Sequence, residues 1–368
     1  MMVTRRGFMK RAAALTAASG AGAGCLAADG EEAYGTAVKN TWRHAEGVVP
    51  EGAPQLRELV RYATLAPSSH NTQCWKFALE DSAISILPDY SRRCPVVDPD
   101  DHHLFVSLGC ATENLIQAAS AHGMKGEARF DAARDAVRVT LRSAPSLNTP
   151  LFKAIAERQC TRGEYDGKPL PTGELAALER AASSDRVRVM LITEKAALEG
   201  LLEFVIEGNS AQMADQAFVE ELKAWIRFSG KEAVRLGDGL YAASSGNPDL
   251  PAWLGKMMFG LFYTPESEND KYAKHLRSSA GAAVFVGAQA DKAQWVEVGR
   301  AYERFALQAT ALDIRNAHLN MPVEVAALRP KFASHLGLGT LRPDLVVRFG
   351  HGPKLPPSLR RPVSSVMV

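Results

Sequence analysis

The most informative stretch of this sequence is Ala66-Pro67-Ser68-Ser69-His70-Asn71-Thr72-Gln73-Cys74-Trp75. It follows an amphipathic helical pattern over residues 55–65 and precedes a strand-like run over residues 75–79. Proline ends the helix, and the short side chains after it carry hydrogen-bond donors and acceptors without a fixed charge. Such a set suits the polar edge of a planar heterocycle better than a metal or a phosphate. On composition alone, a polar loop between a helix and a strand is the simpler interpretation.

A second motif is Arg158-Gln159-Cys160-Thr161-Arg162, at the end of a helical pattern that begins near Leu151. Arginines four residues apart project from the same side of a helical turn. Planar guanidinium groups bind phosphate oxygens through paired hydrogen bonds. The motif therefore predicts a phosphate clamp, and the alternative is a solvated helix end with two surface arginines.

Together the two motifs resemble those of the nitroreductase superfamily, whose members are FMN-binding α+β oxidoreductases. In that family a Ser/Asn-rich loop meets the flavin edge and an Arg-x-Ser/Thr-x-Arg motif binds the phosphate; Cys160 stands here at the hydroxyl position. The resemblance implies three sets of FMN contacts: the ring edge from Pro67, Ser68, Ser69, Asn71 and Gln73; the phosphate from Arg158, Cys160, Arg162 and Arg360 or Arg361; and N5 from the backbone near Met321 and Pro322.

An internal repeat explains why the loop precedes the arginines here, the reverse of the usual order. Gly109-x-Ala111-x-Glu113 recurs as Gly299-x-Ala301-x-Glu303, each inside a long helical pattern. The first copy lacks the arginine pair, with Arg43 near its place, and in the second copy the polar loop is cut away before a strand over residues 187–192. Each half has lost what the other keeps.

These complementary losses predict one flavin site between two fused halves. In dimeric nitroreductases each FMN lies at the subunit interface, and the chain resembles the fused, single-chain branch that includes dormancy-associated flavin proteins of mycobacteria. The expected fold is α+β and nitroreductase-like, with two half-repeats forming a pseudo-dimer around central antiparallel sheets flanked by helices. We place the repeats at residues 29–145 and 146–368, with an apolar, glycine-containing lid or dimer arm at about 237–269.

The N-terminus predicts export. Thr4-Arg5-Arg6-Gly7-Phe8-Met9-Lys10 precedes a weakly apolar run and matches a twin-arginine signal peptide, residues 1–28, cleaved near Ala27 or Ala28. The twin-arginine translocase carries folded proteins, so the expected location is the periplasm or cell envelope. A lipid anchor at Cys25 is the alternative.

Composition adds milder bounds. The 368 residues, 46% of them hydrophobic, suffice for one large core or two coupled ones, and a net charge of +2 gives no reason to expect a nucleic-acid partner. The cysteines show no CxxC or zinc spacing, so neither a structural metal nor a disulfide is expected. His102-His103 follows three aspartates and indicates a helix N-terminus capped by Asp rather than a metal cluster.

The predicted activity is two-electron reduction of a small planar acceptor, a quinone or nitroaromatic, by an FMN-dependent oxidoreductase. The electron donor would be NAD(P)H or an envelope carrier, and no side chain need act as a catalytic acid because water can supply protons. Two alternatives remain: a flavin-storage protein closed by its lid, and an envelope lipoprotein scaffold without flavin. The chain could be a monomeric pseudo-dimer or a homodimer.

Overall fold

The structure is a computed structural model that describes residues 22–368, with side chains from residue 31 onward. The twin-arginine motif Thr4–Lys10 therefore lies outside the described residues, and the expected cleavage positions fall within the first described helix. Within the described part of the chain, no helix combines the length and the apolar character needed to cross a bilayer.

The first half forms one antiparallel sheet covered by helices. Strands follow each other in the spatial order β1-β2-β4-β3. Pro54 lies at the start of the second helix, and the helix ends shortly before Pro67 because that proline cannot continue it. The elements are α1 (Gly22–Thr41), α2 (Ala53–Thr64), β1 (Trp75–Glu80), β2 (Ala83–Pro88), α3 (His102–Ala121), β3 (Met124–Asp131) and β4 (Ala136–Ser143).

The second half repeats this order, with spatial sequence β5-β8-β10-β9 in a second antiparallel sheet. Its long helix again follows the second strand of the sheet, and its first strand has the predicted bounds, residues 187–192. The elements that correspond to the first half are α5 (Thr172–Ala182), β5 (Val187–Ile192), β8 (Gly281–Gly287), α11 (Lys292–Ala311), β9 (Arg315–His318) and β10 (Pro343–Gly350). Short helices accompany them: α4 (Pro150–Ala154), α12 (Met321–Glu324) and α13 (Arg329–His335).

An insertion distinguishes the halves. The residues Asp81 and Ser82 alone join β1 to β2, whereas residues 193–280 separate β5 from β8. The insertion contains α6 (Lys195–Ala214), α7 (Gln216–Trp225), β6 (Ile226–Arg227), α8 (Gly230–Leu236), β7 (Leu240–Tyr241), α9 (Ala252–Phe262) and α10 (Pro265–Arg277). The segment predicted as a lid, residues 237–269, thus lies in the second half of a longer insertion, and the apolar side chains of Trp253 and Leu261 in α9 are exposed.

The two long helices α3 and α11 cross at a pair of glycines. A Cβ atom on Gly109 would lie 2.1 Å from the carbonyl oxygen of Val296, and one on Gly299 would lie 1.9 Å from that of Val106. Each glycine thus meets the valine three residues before the other glycine, as a two-fold axis requires. Only glycine permits this approach. The repeated motif therefore marks the axis of a pseudo-dimer, and the predicted two-repeat fold is confirmed.

A single hydrophobic core joins the halves. Both crossing helices and both sheets contribute fully buried side chains to it, including Phe105, Trp75, Phe285 and Phe305. Because one core spans the axis, residues from the two halves are held rigidly opposite each other on either side of it.

Candidate functional site

The loop between α2 and β1 has an unusual backbone. His70, Asn71 and Gln73 all have positive φ angles, of 46°, 52° and 54°. Left-handed conformations of non-glycine residues cost about 1–3 kcal/mol each when the surroundings enforce them. Three of the four residues from 70 to 73 adopt such a conformation, so the rest of the protein must hold the loop through strong contacts. The loop is therefore a candidate functional element.

The side chains of Asn71 and Gln73 provide part of that restraint. The Asn71 amide donates to the carbonyl oxygens of Gly239 at 2.9 Å and Leu359 at 3.2 Å. The Gln73 amide donates to the carbonyl oxygen of Gly237 at 2.8 Å and accepts from the backbone N–H of Arg361 at 2.8 Å. Both predicted flavin-edge amides therefore tie the loop to the insertion and to the C-terminal tail.

Arginines hold the two ends of the loop. Arg158 donates to the Leu65 carbonyl oxygen at 2.9 Å, and Arg360 donates to the carbonyl oxygens of Leu65 at 3.1 Å and Ala66 at 3.0 Å. Arg361 donates to the Gln73 carbonyl oxygen at 2.7 Å. The tail arginines, predicted to complete the phosphate clamp, thus contact this loop instead, and all three guanidinium groups bind protein oxygens.

Arg158 also forms a buried ion pair across the pseudo-dimer. Its Nε atom lies 3.2 Å from Oε1 of Glu303 in α11, and the two side chains are 2% and 0% exposed. Burial nevertheless raises the pKa of Glu303 to about 7, because desolvation outweighs the attraction of the guanidinium. Burial and the neighbouring Arg158 together lower the pKa of Arg360 to about 9.

Arg162 differs from the other predicted clamp residues. It is half-buried, and within residues 22–368 its guanidinium has no hydrogen bond or ion pair. Its charge acts on two histidines: His70 in the strained loop and His318 at the end of β9. The structure therefore brings an uncompensated cation from the second half against the polar loop of the first.

The neighbours of Arg162 lie in a desolvated region. His70 and His318 are half-buried by surface area, yet burial is the main cause that lowers their pKa values to about 4 and about 3. Tyr272 and Glu324 are also half-buried, and burial raises the pKa of each. Partial exposure together with desolvation indicates that these side chains face a recess rather than open solvent. We call the space lined by His70, Arg162, Tyr272, His318 and Glu324 the candidate cavity.

Strand β9 adds buried polar atoms that lack partners. The Asn316 amide nitrogen and the His318 Nδ1 atom make no hydrogen bond within the described residues. Cys160 forms a β-bridge with Asn316 and is half-buried, and the neighbouring Thr161 N–H donates to the Asn316 carbonyl oxygen at 2.8 Å. Asn316 and His318 are not among the residues predicted from the sequence; the signal for them is two polar side chains inside a short strand next to Asn320-Met321-Pro322.

The other predicted contacts lie around this region. Ser68 accepts from the Gln73 N–H at 2.9 Å, and the N–H of Ser69 donates to Ser107 at 3.4 Å. Pro67 is half-buried at the start of the loop. Met321 and Pro322 are buried in the first turn of α12, directly after the end of β9. The loop residues, Arg158 and the tail arginines thus come together, but Arg158, Asn71 and Gln73 are committed to protein partners.

The His70 side chain has a thiol neighbour. The Cys94 sulfur lies 3.5 Å from Nδ1 of His70, and burial raises the pKa of the thiol so that it stays protonated. The neutral thiol is therefore an uncharged partner for Nδ1, as donor or acceptor according to the imidazole tautomer.

The cavity has the chemistry for an aromatic anion. Arg162 supplies an uncompensated positive charge, the Asn316 amide supplies a buried donor without a partner, and His70 and His318 are neutral at neutral pH. A buried polar group without a partner costs about 1–3 kcal/mol, which a ligand hydrogen bond would remove. These residues therefore fit a planar ligand with a hydrogen-bonding edge and a negative charge.

Comparison with known proteins gives relatives but no family model. No model of a protein family matches the chain. The chain is 25% identical over 327 residues to "Putative NAD(P)H nitroreductase Rv3131" of Mycobacterium tuberculosis, covering 86% of this chain and 91% of the relative. It is 22% identical over 333 residues to "Putative NAD(P)H nitroreductase acg" of the same organism, covering 84% of this chain and 94% of that protein.

Solved structures give weaker likenesses. A crystal structure titled as a putative nitroreductase from Anabaena variabilis aligns with a TM-score of 0.46 and 10% identity, covering 86% of this chain and 91% of its own. The FMN-dependent nitroreductase NfnB of Mycobacterium smegmatis, in complex with NADPH, aligns with a TM-score of 0.37 and 14% identity, covering 55% and 87%. Over most of its length, the chain is thus similar in sequence to mycobacterial proteins named nitroreductases, and its two-repeat α+β fold is nitroreductase-like.

Proposed function

We propose that this chain is an FMN-dependent oxidoreductase of nitroreductase type that reduces small planar acceptors such as quinones or nitroaromatics. The observation that carries the proposal is the position of Arg162, a half-buried guanidinium without a hydrogen bond or ion pair among the described residues, close to His70 of the first half and His318 of the second. The sequence relatives, which align with most of the chain and are named NAD(P)H nitroreductases, support the same reaction class.

Arg162 is the proposed phosphate anchor. Arg158, Arg360 and Arg361 already bind carbonyl oxygens or Glu303, so they fix the loop rather than the phosphate. Bound FMN would accept a hydride from a nicotinamide donor and pass two electrons to the acceptor.

The chain's own residues orient the ligand and exclude water. The Asn316 amide and the neutral imidazoles of His70 and His318 offer hydrogen bonds without a charge, because their burial keeps both imidazoles unprotonated at neutral pH. Tyr272, on α10 of the insertion, lies half-buried near Arg162 and Glu324 and would limit access of water on that side. Donors fixed before ligand arrival stabilise negative charge on a ring edge more effectively than mobile water does. No side chain is assigned as a general acid.

Export is part of the proposal. The Thr4–Lys10 motif supports passage through the twin-arginine translocase to the periplasm or cell envelope, with the cofactor loaded before export. NAD(P)H is the proposed electron donor, with an envelope carrier as its substitute outside the cytosol. A reporter protein fused to residues 1–28 tests this part. The control is the same fusion with Arg5 and Arg6 replaced by lysine. Equal export of both fusions contradicts the route.

The test of the activity is the visible spectrum of the full chain, purified without added flavin, before and after anaerobic NADPH. We expect flavin bands that bleach with NADPH and return with a quinone. Bands that never bleach with any donor would support flavin storage instead, and absence of bands after incubation with FMN would refute the proposal. Arg162→Ala should release FMN, whereas Arg188→Ala, an exposed arginine on β5, should retain it.

A further inference from the structure

A surface cleft between α5 and α11 is rich in hydrogen-bond donors. Its volume is about 670 Å³, within the range of about 300–1,000 Å³ that is typical of sites for small molecules. One carboxylate, that of Glu297, lines it. Its other polar side chains all carry donors: Arg180, Ser183, Ser184, Arg300, Arg304 and Gln308.

The repeat explains the position of the cleft. Arg304 in α11 corresponds to Asn114 in α3, because each stands five residues after the crossing glycine of its helix. The Asn114 amide donates to the carbonyl oxygen of Tyr62, in the last turn of α2, at 3.3 Å. Nε of Arg304 donates to the carbonyl oxygen of Ala181, in the last turn of α5, at 2.9 Å. The pseudo-two-fold axis therefore relates these two contacts, and the cleft lies at the helix end that corresponds to the start of the polar loop.

The polar loop itself has no full counterpart here. Residues 65–74 connect α2 to β1, whereas residues 183–186 alone connect α5 to β5. Ser183 and Ser184 in this short connection are exposed and line the cleft. The cleft is therefore open beside the connection in which the flavin-edge residues are missing.

Arginines replace neutral side chains at this position. Arg300 and Arg304 correspond to Cys110 and Asn114 of α3. Both pair with Glu113, which is 2% exposed: Nε of Arg300 lies 3.3 Å and Nη1 of Arg304 lies 3.1 Å from its Oε2 atom. Two guanidinium groups thus share one buried carboxylate.

The remaining charges leave the cleft positive. Nη1 of Arg300 lies 3.1 Å from Glu297, the second carboxylate. Arg180, in the last turn of α5, is exposed and has no hydrogen bond or ion pair among the described residues. The cleft and the carboxylate beneath it therefore combine three guanidinium groups with two carboxylates, and an anionic ligand would balance the excess charge.

The ion pairs also orient donors that stay available. Arg300 uses Nε and Nη1 for the two glutamates, and Arg304 uses Nε and Nη1 for Ala181 and Glu113. The Nη2 atom of each has no acceptor among the described residues, and neither atom is fully enclosed. Guanidinium groups held in a fixed plane bind phosphate oxygens through paired N–H groups.

From this arrangement we infer that the cleft is a second binding site, for a small organic anion that carries a phosphate group. The three guanidinium groups would hold the phosphate, and the serine hydroxyls and the Gln308 amide supply further hydrogen bonds. The cleft is larger than a phosphate ion, and Leu151 and Ala177 give it an apolar wall for the organic part. It shares no residue with the candidate cavity, so the inference holds whether or not that cavity binds FMN.

The test is binding of pyrophosphate and of AMP by the full chain saturated with FMN, measured by titration calorimetry and by the shift in melting temperature. At least one probe should bind with one equivalent. Arg180→Gln and Arg304→Lys should each weaken binding by at least about 10-fold, because a charge-assisted hydrogen bond is lost. Arg188→Gln is the matched control, since it removes the same charge from an exposed position on β5 and should bind like the parent.

A repeat of the titrations with Arg162→Ala separates the cleft from the candidate cavity. This variant lacks the proposed FMN phosphate anchor, so unchanged affinity for the probe supports the cleft even if the chain binds no flavin. Several results overturn the inference: a parent that binds neither probe, Arg180→Gln binding as tightly as the parent, or Arg188→Gln binding as weakly as Arg180→Gln. Loss of binding in Arg162→Ala would assign the anion to the cavity instead. Arg180→Gln changes an exposed side chain, so the test stays valid if Arg304→Lys fails to fold.

Discussion

Replacing Arg158 by methionine should destabilise the protein in a way that depends on pH. The substitution keeps most of the buried volume but removes the cation beside Glu303, whose side chain is fully buried, and the hydrogen bond to the Leu65 carbonyl oxygen. Breaking a buried ion pair by removing one partner costs about 3–5 kcal/mol, because the remaining charge has no compensation. The sequence-based phosphate clamp predicts a different result: loss of flavin with little loss of stability.

The pH dependence follows from the raised pKa of Glu303. In the parent, the folded pKa of about 7 exceeds the ordinary value of 4.5, so folding retains a proton and stability is lost as the pH rises between these values. Without Arg158 the Glu303 carboxyl must stay protonated above pH 7 as well. Keeping it protonated lowers the stability of the folded variant by about 1.4 kcal/mol for each further pH unit. The free energy of unfolding should therefore be lower in the variant than in the parent by about 1–3 kcal/mol at about pH 5.5, because of the lost hydrogen bond. At about pH 8.5 this loss should be about 2 kcal/mol larger.

Urea unfolding at these two pH values measures the free energy of unfolding of variant and parent. The comparison is valid when both proteins have the same dependence of that free energy on urea concentration. Arg188→Met is the matched control, an exposed arginine on β5 that should change stability by less than about 0.5 kcal/mol. A difference for Arg158→Met that is below about 1 kcal/mol, or equal at both pH values, contradicts the reasoning about Glu303. Flavin release from a variant of unchanged stability would instead support the assignment of Arg158 as a phosphate ligand.

Three further changes test the helix crossing, the cavity edge and the loop. Gly109→Ala would place a methyl group 2.1 Å from a backbone oxygen and should cost at least about 2–3 kcal/mol or prevent folding, whereas Gly173→Ala, with open space around it, should be tolerated in thermal unfolding. In a Cys25→Ala background, a thiol reagent should label half-buried Cys160 first and buried Cys110 last, with FMN slowing the first step; equal rates, read by peptide mass spectrometry, would argue against this placement. Asn71→Ala removes three side-chain hydrogen bonds, two donated to carbonyl oxygens and one accepted from Arg360, and should lower the free energy of unfolding by about 2–3 kcal/mol; a variant as stable as the parent would show that the amide does not restrain the loop.

The repeat and the main elements could be predicted from the sequence because they depend on local patterns. The Gly-x-Ala-x-Glu motif marks both crossing helices, since close helix contact requires glycine at a fixed position. The pattern over residues 55–65 gave α2, observed as Ala53–Thr64, and the apolar run over residues 187–192 gave β5. Hydrophobic periodicity, together with proline and glycine, predicts the positions of such helices and strands directly.

The partners of the site residues could not be predicted in the same way. Arg158 looks like a phosphate ligand in isolation, but Glu303 lies opposite it only after the two halves pack. Likewise, nothing in residues 237–269 alone indicated that the insertion extends over residues 193–280. His318 and Asn316 were missed because a four-residue strand with mixed polarity has no distinct pattern, and their role depends on the loop that the fold places beside them.

The insertion between β5 and β8 sets an order of folding. The first sheet closes through a two-residue turn, whereas β5 waits for a partner that lies beyond residues 193–280, and closing a loop of that length costs about 4 kcal/mol of chain entropy. During synthesis, the first half therefore completes its sheet while α3 still lacks α11. Until the last third of the chain emerges, the glycine face of α3 and an unpaired β5 edge stay exposed, which is the state in which aggregation competes with folding.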